Sequence, residues 1–200
     1  MSAAVMDQPA PPPGDVARLG MWVFLASEVL FFGALLLVYG VARMHAPQGF
    51  AAASARTDVW LGTLNTALLL TSSCAVAIAA EAAACGQEQD TRRGLWIAVV
   101  LGLCFLAIKG VEYHSDWTQG LVPGSGFALK VAGAELFFAW YFFATMLHAV
   151  HLIIGIVLCA SYALRRANGV RVHALGLYWH FVDVVWILLY PLIYLVSPRS

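Results

Sequence analysis

Five apolar runs, at 19–41, 59–83, 94–113, 131–163 and 174–196, divide this chain of 200 residues. Each is long enough, as a helix, to cross about 30 Å of hydrocarbon. A backbone inside a bilayer must satisfy its own polar groups, so single crossings of this length are helices. A water-soluble fold is excluded because 62% of the residues are hydrophobic and only 11% charged, less than half the roughly 25% charged in soluble domains. The reading is an all-α polytopic membrane protein, a single five-helix domain over residues 18–198.

The connections at 42–58, 84–93, 114–130 and 164–173 are short and carry the Gly, Pro, Asn, Asp or Gln that end helices. They leave no room for a soluble domain. Residues 1–17 hold the run Asp7-Gln8-Pro9-Ala10-Pro11-Pro12-Pro13-Gly14-Asp15, which reads as a flexible, partly polyproline lead-in. That lead-in lacks the basic region and apolar core of a signal peptide.

An odd number of crossings puts the termini on opposite sides, and the cationic residues choose the orientation. Arg18, Arg92, Arg93, Arg165, Arg166 and Arg171 fall on one side, and Arg43, Arg56, Lys130 and Arg199 on the other. The excess predicts a cytoplasmic amino terminus and an external carboxyl terminus. Cys74, Cys85, Cys104 and Cys159 are scattered without a C-x-x-C pair or zinc spacing and read as small packing residues. With a net charge of zero and no basic stripe, nucleic acid is not an expected partner.

Polar residues inside the spans are the informative ones, because an ionisable group near the bilayer centre costs roughly 2.5 to 3.5 kcal/mol on insertion scales. Glu28, in Ser27-Glu28, lies nine residues past the start of the first span, about 13 Å deep at the helical rise. The second span carries Asn65 among Gly62, Thr63, Thr66, Thr71, Ser72 and Ser73, a small and polar face suited to close helix packing. Lys109 and Glu112 are spaced to meet on one face of the third span near the outer interface, where a lysine can snorkel, with Glu135 as a possible third member.

His148 and His151 share a face of the fourth span, and His180 and Asp183 a face of the fifth. These four residues admit a metal or haem site completed across helices, or a set of structural polar contacts. The single His-x-x-His pair favours the second.

Taken together these motifs resemble subunit III of the haem-copper respiratory oxidases. The matching residues run from Trp22 through Ser27-Glu28 to Phe31-Phe32, then Leu64-Asn65-Thr66 with Thr71-Ser72-Ser73, Lys109-Gly110-Val111-Glu112-Tyr113, Thr145 to His151, Gly155, and Tyr178 to Trp186. Their order across some 165 residues, from Trp22 to Trp186, carries the resemblance. It implies the five-helix form of the subunit, with two helix groups around a lipid-filled cleft that opens after the first two helices.

It implies too that the chain binds phospholipids but neither haem nor copper, which belong to partner subunits. The partners are the catalytic subunit I, subunit II, other respiratory-complex subunits and membrane phospholipids. The expected location is the bacterial inner membrane.

Under that resemblance Glu28 supports proton uptake by subunit I. Glu28, His151, Arg171, Trp179 and His180 contact lipid, and Asn65, Lys109, Glu112, His148 and Asp183 are structural polar residues. The segment Ile108 to His114 with Leu121-Val122-Pro123-Gly124 looks most like bacterial cytochrome c oxidases. Subunit III of a quinol oxidase and an accessory subunit of a nitric oxide reductase are the alternatives within the family, the latter suggested by the opening Gly14-Asp15 to Trp22. A reading from another class is a stand-alone intramembrane metalloenzyme or proton-coupled carrier using Glu28, His148, His151, His180 and Asp183.

Overall fold

The computed structural model describes residues 13–165 and 169–196. Residues 1–12 of the expected lead-in, Arg166 and Arg199 lie outside the described residues. Six helices follow one another: α1 Pro13–His45, α2 Pro47–Ser54, α3 Val59–Ala84, α4 Glu88–Thr118, α5 Ala134–Leu164 and α6 Gly169–Tyr194. All but α2 are long and apolar enough to cross a membrane. Helix α1 begins at Pro13, inside the expected lead-in, because proline lacks only an N–H that the first turn of a helix leaves unused.

The long helices start where their sequences allow. The carboxylate of Asp58 accepts from the backbone N–H of Trp60 at 2.9 Å and Leu61 at 3.2 Å, filling orphan donors at the start of α3. Helix α5 is entered through Gly133 at φ +87°, a conformation an L side chain rarely takes. A Cβ there would also collide with Ala46 at the end of α1, so the glycine is needed for space as well as for backbone conformation.

Helix α2 occupies the segment expected to be an irregular connection at 42–58. Its Phe50, fully buried, packs edge-on against Phe137 at 5.5 Å and Tyr39 at 5.2 Å. The same short helix finishes α6. The last carbonyls of a helix have no internal partner. Here the Ile193 carbonyl accepts from Ser54 Oγ of α2 at 2.8 Å, and the Leu192 carbonyl accepts from Tyr39 Oη of α1 at 2.6 Å.

The expected cleft after the first two spans is not the division the structure shows. Helices α3, α4, α5 and α6 form a four-helix bundle in which α3 packs along both α4 and α6, while α1 touches only α2, α5 and α6 to any extent. The reason lies in side-chain size. A Cβ on Gly94 would meet the Ala75 carbonyl at 2.8 Å and the Ala79 Cβ at 2.9 Å, so α3 and α4 approach with almost nothing between their backbones. The separation falls instead after the first span. Much of α1 faces away from the bundle, exposing Leu19, Trp22, Val29, Leu30, Leu37 and Met44.

Candidate functional site

Two grooves flank the amino-terminal half of α6, and Met21 of α1 lines both. One, of about 760 Å³, runs between α3 and α6 and is lined by Ala77, Glu81, His173, Leu177 and His180. The other, of about 380 Å³, is closed by α5 and lined by Phe24, Ile154, Tyr162, Arg171 and Tyr178. Arg171 and His180, both expected to contact lipid, thus line grooves on opposite sides of α6. Glu81 and His173 were missed in the sequence because neither belongs to a spaced pair.

Beyond the second groove Glu28 and His151, each expected to contact lipid, meet one another. His151 Nε2 lies 3.2 Å from Glu28 Oε2, and both side chains are mostly buried. His151 Nδ1 is 2.9 Å from the Leu147 carbonyl, which only accepts, so this nitrogen carries a hydrogen. The contact to Glu28 therefore holds one more proton, on the carboxyl or on the imidazole. Phe32 covers the His151 ring edge-on at 5.4 Å. Tyr178 Oη donates to the His151 carbonyl at 2.9 Å, fixing α6 to this point of α5.

The other histidine of the His-x-x-His pair goes elsewhere. Three residues along a helix turn the side chain by about 60° from its neighbour. That sends His148 into the bundle between Phe105 and Trp186, at ring-centre distances of 5.6 and 5.1 Å. Its ring nitrogens have no hydrogen-bond partner among the described residues, and the same holds for the buried amide of Asn65. The expected polar contacts of His148 and Asn65 are thus not formed with protein groups. Among the described residues no three His, Cys, Asp or Glu side chains gather as a metal would require.

His180 is half-exposed on the larger groove, where its Nδ1 lies 2.6 Å from Ser73 Oγ of α3. Asp183, expected to be a structural polar residue, is buried with its Oδ2 4.0 Å from His180 Nδ1, and neither of its oxygens has a close hydrogen-bond partner among the described residues. Serine, a residue read in the sequence only as part of a packing face, holds the imidazole instead. Trp179 is a correction too. Expected to meet lipid, it is fully buried, with its indole Nε1 donating to Ser72 Oγ at 3.1 Å. Its ring lies close over Gly155, where a Cβ would sit 3.1 Å from it.

At the end of the bundle that carries α2, Lys109 and Glu112 do pair, at 3.1 Å, but not at a snorkelling position. Lys109 is 5% exposed. Its ammonium also donates to Tyr141 Oη and Tyr194 Oη, each at 3.1 Å. Tyr194 Oη donates to Glu112 Oε1 at 2.6 Å. Tyr141 Oη lies 3.0 Å from Glu112 Oε1 and 3.1 Å from Asp116 Oδ2.

The third carboxylate is therefore Asp116, not Glu135. Glu135 instead accepts from the backbone N–H of Gly124 at 2.9 Å, tying down the loop before α5. The sequence signal for Asp116 was its i,i+4 spacing from Glu112, hidden because the third span was ended at residue 113. Helix α4 runs on to Thr118.

A bundle of five membrane-length helices, with a carboxylate–imidazole contact on its flank and apolar-walled grooves beside α6, is a polytopic membrane protein. A family model for cytochrome c oxidase subunit III matches residues 13–197, and the chain belongs to that family, the third subunits of haem-copper oxidases. A cytochrome c oxidase subunit 3 from Thermostichus vulcanus is 30% identical over 92% of this chain and 89% of its own length. A haem-copper oxidase subunit I+III from Aeropyrum pernix is also 30% identical, over 93% of this chain, which spans only 23% of that longer protein. A cytochrome bo(3) ubiquinol oxidase subunit 3 from Pseudomonas aeruginosa is 26% identical over 92% of this chain and 87% of its own length.

Proposed function

We propose that this chain is the non-redox subunit III of a bacterial cytochrome c oxidase, supporting proton uptake and stability of catalytic subunit I while oxygen is reduced and protons are pumped. The family match over residues 13–197 carries the reading. The outward apolar face of α1 suits a neighbouring membrane helix, and the Aeropyrum relative joins subunits I and III in its name, which supports subunit I as that neighbour. Subunit II and other respiratory-complex subunits complete the assembly. Haem and copper reside in the partners, and this chain supplies none of their ligands.

The two grooves beside α6 suit phospholipid. Their apolar walls take acyl chains, and Arg171 in one, with His173 and His180 in the other, present donors to a phosphate. The protein lies in the bacterial inner membrane with its amino terminus cytoplasmic, the orientation favoured by the cationic loops. The Pseudomonas relative's name keeps a quinol oxidase as the second reading within the family.

Gentle solubilisation and affinity capture of this chain from its native membrane tests the assignment. An a-type haem spectrum with cytochrome c oxidation is expected. Quinol oxidation moves the chain to the second reading, and a haem-free preparation without large partners overturns both. For Glu28, the Glu28→Gln change keeps the hydrogen-bonding shape but removes the ionisable group facing His151. The assembled variant is expected to lose turnover faster than the parent under continuous oxygen consumption. Identical turnover, pumping and durability would remove the role in proton uptake.

A further inference from the structure

We propose that Asp116 is a proton-binding site, carrying a proton that it donates to Tyr141 and exchanges with water at the end of the bundle that holds α2. The hydrogens available to the network are fewer than its short contacts need unless Asp116 carries one. Lys109 has three N–H donors and spends them on Glu112 Oε2, Tyr141 Oη and Tyr194 Oη. Glu112 accepts that ammonium on one oxygen and the Tyr194 hydroxyl on the other, the arrangement that favours its ionised form.

Tyr141 has one hydroxyl hydrogen but two carboxylate oxygens in reach, at 3.0 and 3.1 Å. If it donates to Glu112, its contact with Asp116 needs a hydrogen from Asp116. If it donates to Asp116, its contact with Glu112 lacks one. A proton on Asp116 makes every short contact a hydrogen bond, in the sequence Asp116 to Tyr141 to Glu112, with Lys109 donating into the remaining lone pair of Tyr141.

Charge points the same way. Lys109 and Glu112 neutralise each other, so an ionised Asp116 would leave a net negative charge among side chains only a few per cent exposed. The charged groups facing it are few. Among the described residues these are Lys109, Glu112 and Tyr113 on its own helix, Tyr141 of α5 and Tyr194 of α6, with Arg56 and Asp58 lining the same groove from the turn before α3. A groove of about 400 Å³, lined by Arg56, Asp58, Ser115, Gln119, Glu112 and Asp116, opens on this carboxyl. It is a path by which water reaches the proton, and Lys109, Tyr141 and Tyr194 do not line it. Loss of the proton leaves Tyr141 to serve two carboxylates with one hydrogen, and Asp116 turns to water from the groove.

The test is infrared difference spectroscopy on the intact oxidase complex in vesicles, with the pH changed on one side at a time. The parent should show a protonated-carboxyl C=O band that shifts in deuterated water and fades as the pH on the α2 side is raised. Asp116→Asn should remove one carboxyl equivalent of that band. Tyr141→Phe, which keeps Asp116 but removes its acceptor, should shift the band rather than abolish it, so the proposal stays testable if the Asn variant fails to assemble. A band unaltered by both substitutions, or one that follows only the pH of the opposite side, would overturn it.

Discussion

Lys109→Met is expected to be among the most damaging single changes in this chain, lowering its stability within the complex by about 3 to 5 kcal/mol, the usual cost of removing one partner from a buried charge pair. Among the described residues the ammonium is the only cation paired with Glu112, and it holds two tyrosine hydroxyls as well. Without it Glu112 is left as a buried carboxylate without its counter-charge. The double variant Lys109→Met with Glu112→Gln removes both charges and should recover most of the loss. The measurement is the temperature at which the subunit dissociates from the solubilised oxidase. A single variant as robust as the parent, or a double variant worse than the single, would mean that this pair is not electrostatically closed.

The same network shows what the sequence could and could not say. The spacing of Lys109 and Glu112 announced that they meet, because it depends only on the geometry of one helix. Their depth, and their partners Tyr141 and Tyr194 on two other helices, depend on how α4, α5 and α6 rotate against one another. Tyrosines in an apolar run read as interfacial residues until a buried cation turns their hydroxyls inward. Asp116 was hidden by a span ended one turn too early at a polar segment that in fact continues the helix.

The five crossings were legible for the opposite reason, since length and apolarity are local properties. The meeting of Glu28 with His151 was not: each stood out as a costly polar residue in its own span, but their pairing depends on how α1 lies against α5. The place where the helices divide was not legible. It is decided by Gly94 against Ala75 and Ala79, and small residues in an apolar span look alike whether they face a helix or a lipid. Helix α2 was lost because eight residues of mixed Pro, Gly and Ala carry no periodicity, although its Phe50 fills the gap between α1 and α5.

Trp179→Ala is expected to cost about 3 to 5 kcal/mol of stability, the range for truncating a large buried aromatic. No hydrophobic transfer term operates between helix and lipid, so the loss is one of packing: the indole fills the space over Gly155 and beside Gly102, and its removal strips those walls of contacts. Trp179→Phe retains the ring and gives up the bond to Ser72 Oγ, a loss of about 1 kcal/mol.

A tryptophan facing lipid would behave differently, leaving the dissociation temperature nearly unchanged while copurifying phospholipid fell. That second pattern belongs to Arg171→Leu combined with His180→Leu, whose side chains line the two grooves and which should lower bound anionic lipid by mass spectrometry with the bundle intact. If instead Trp179→Ala stripped lipid without loosening the subunit, the indole would have to leave the core between α3 and α5, and the packing assigned to α6 would be wrong at its centre.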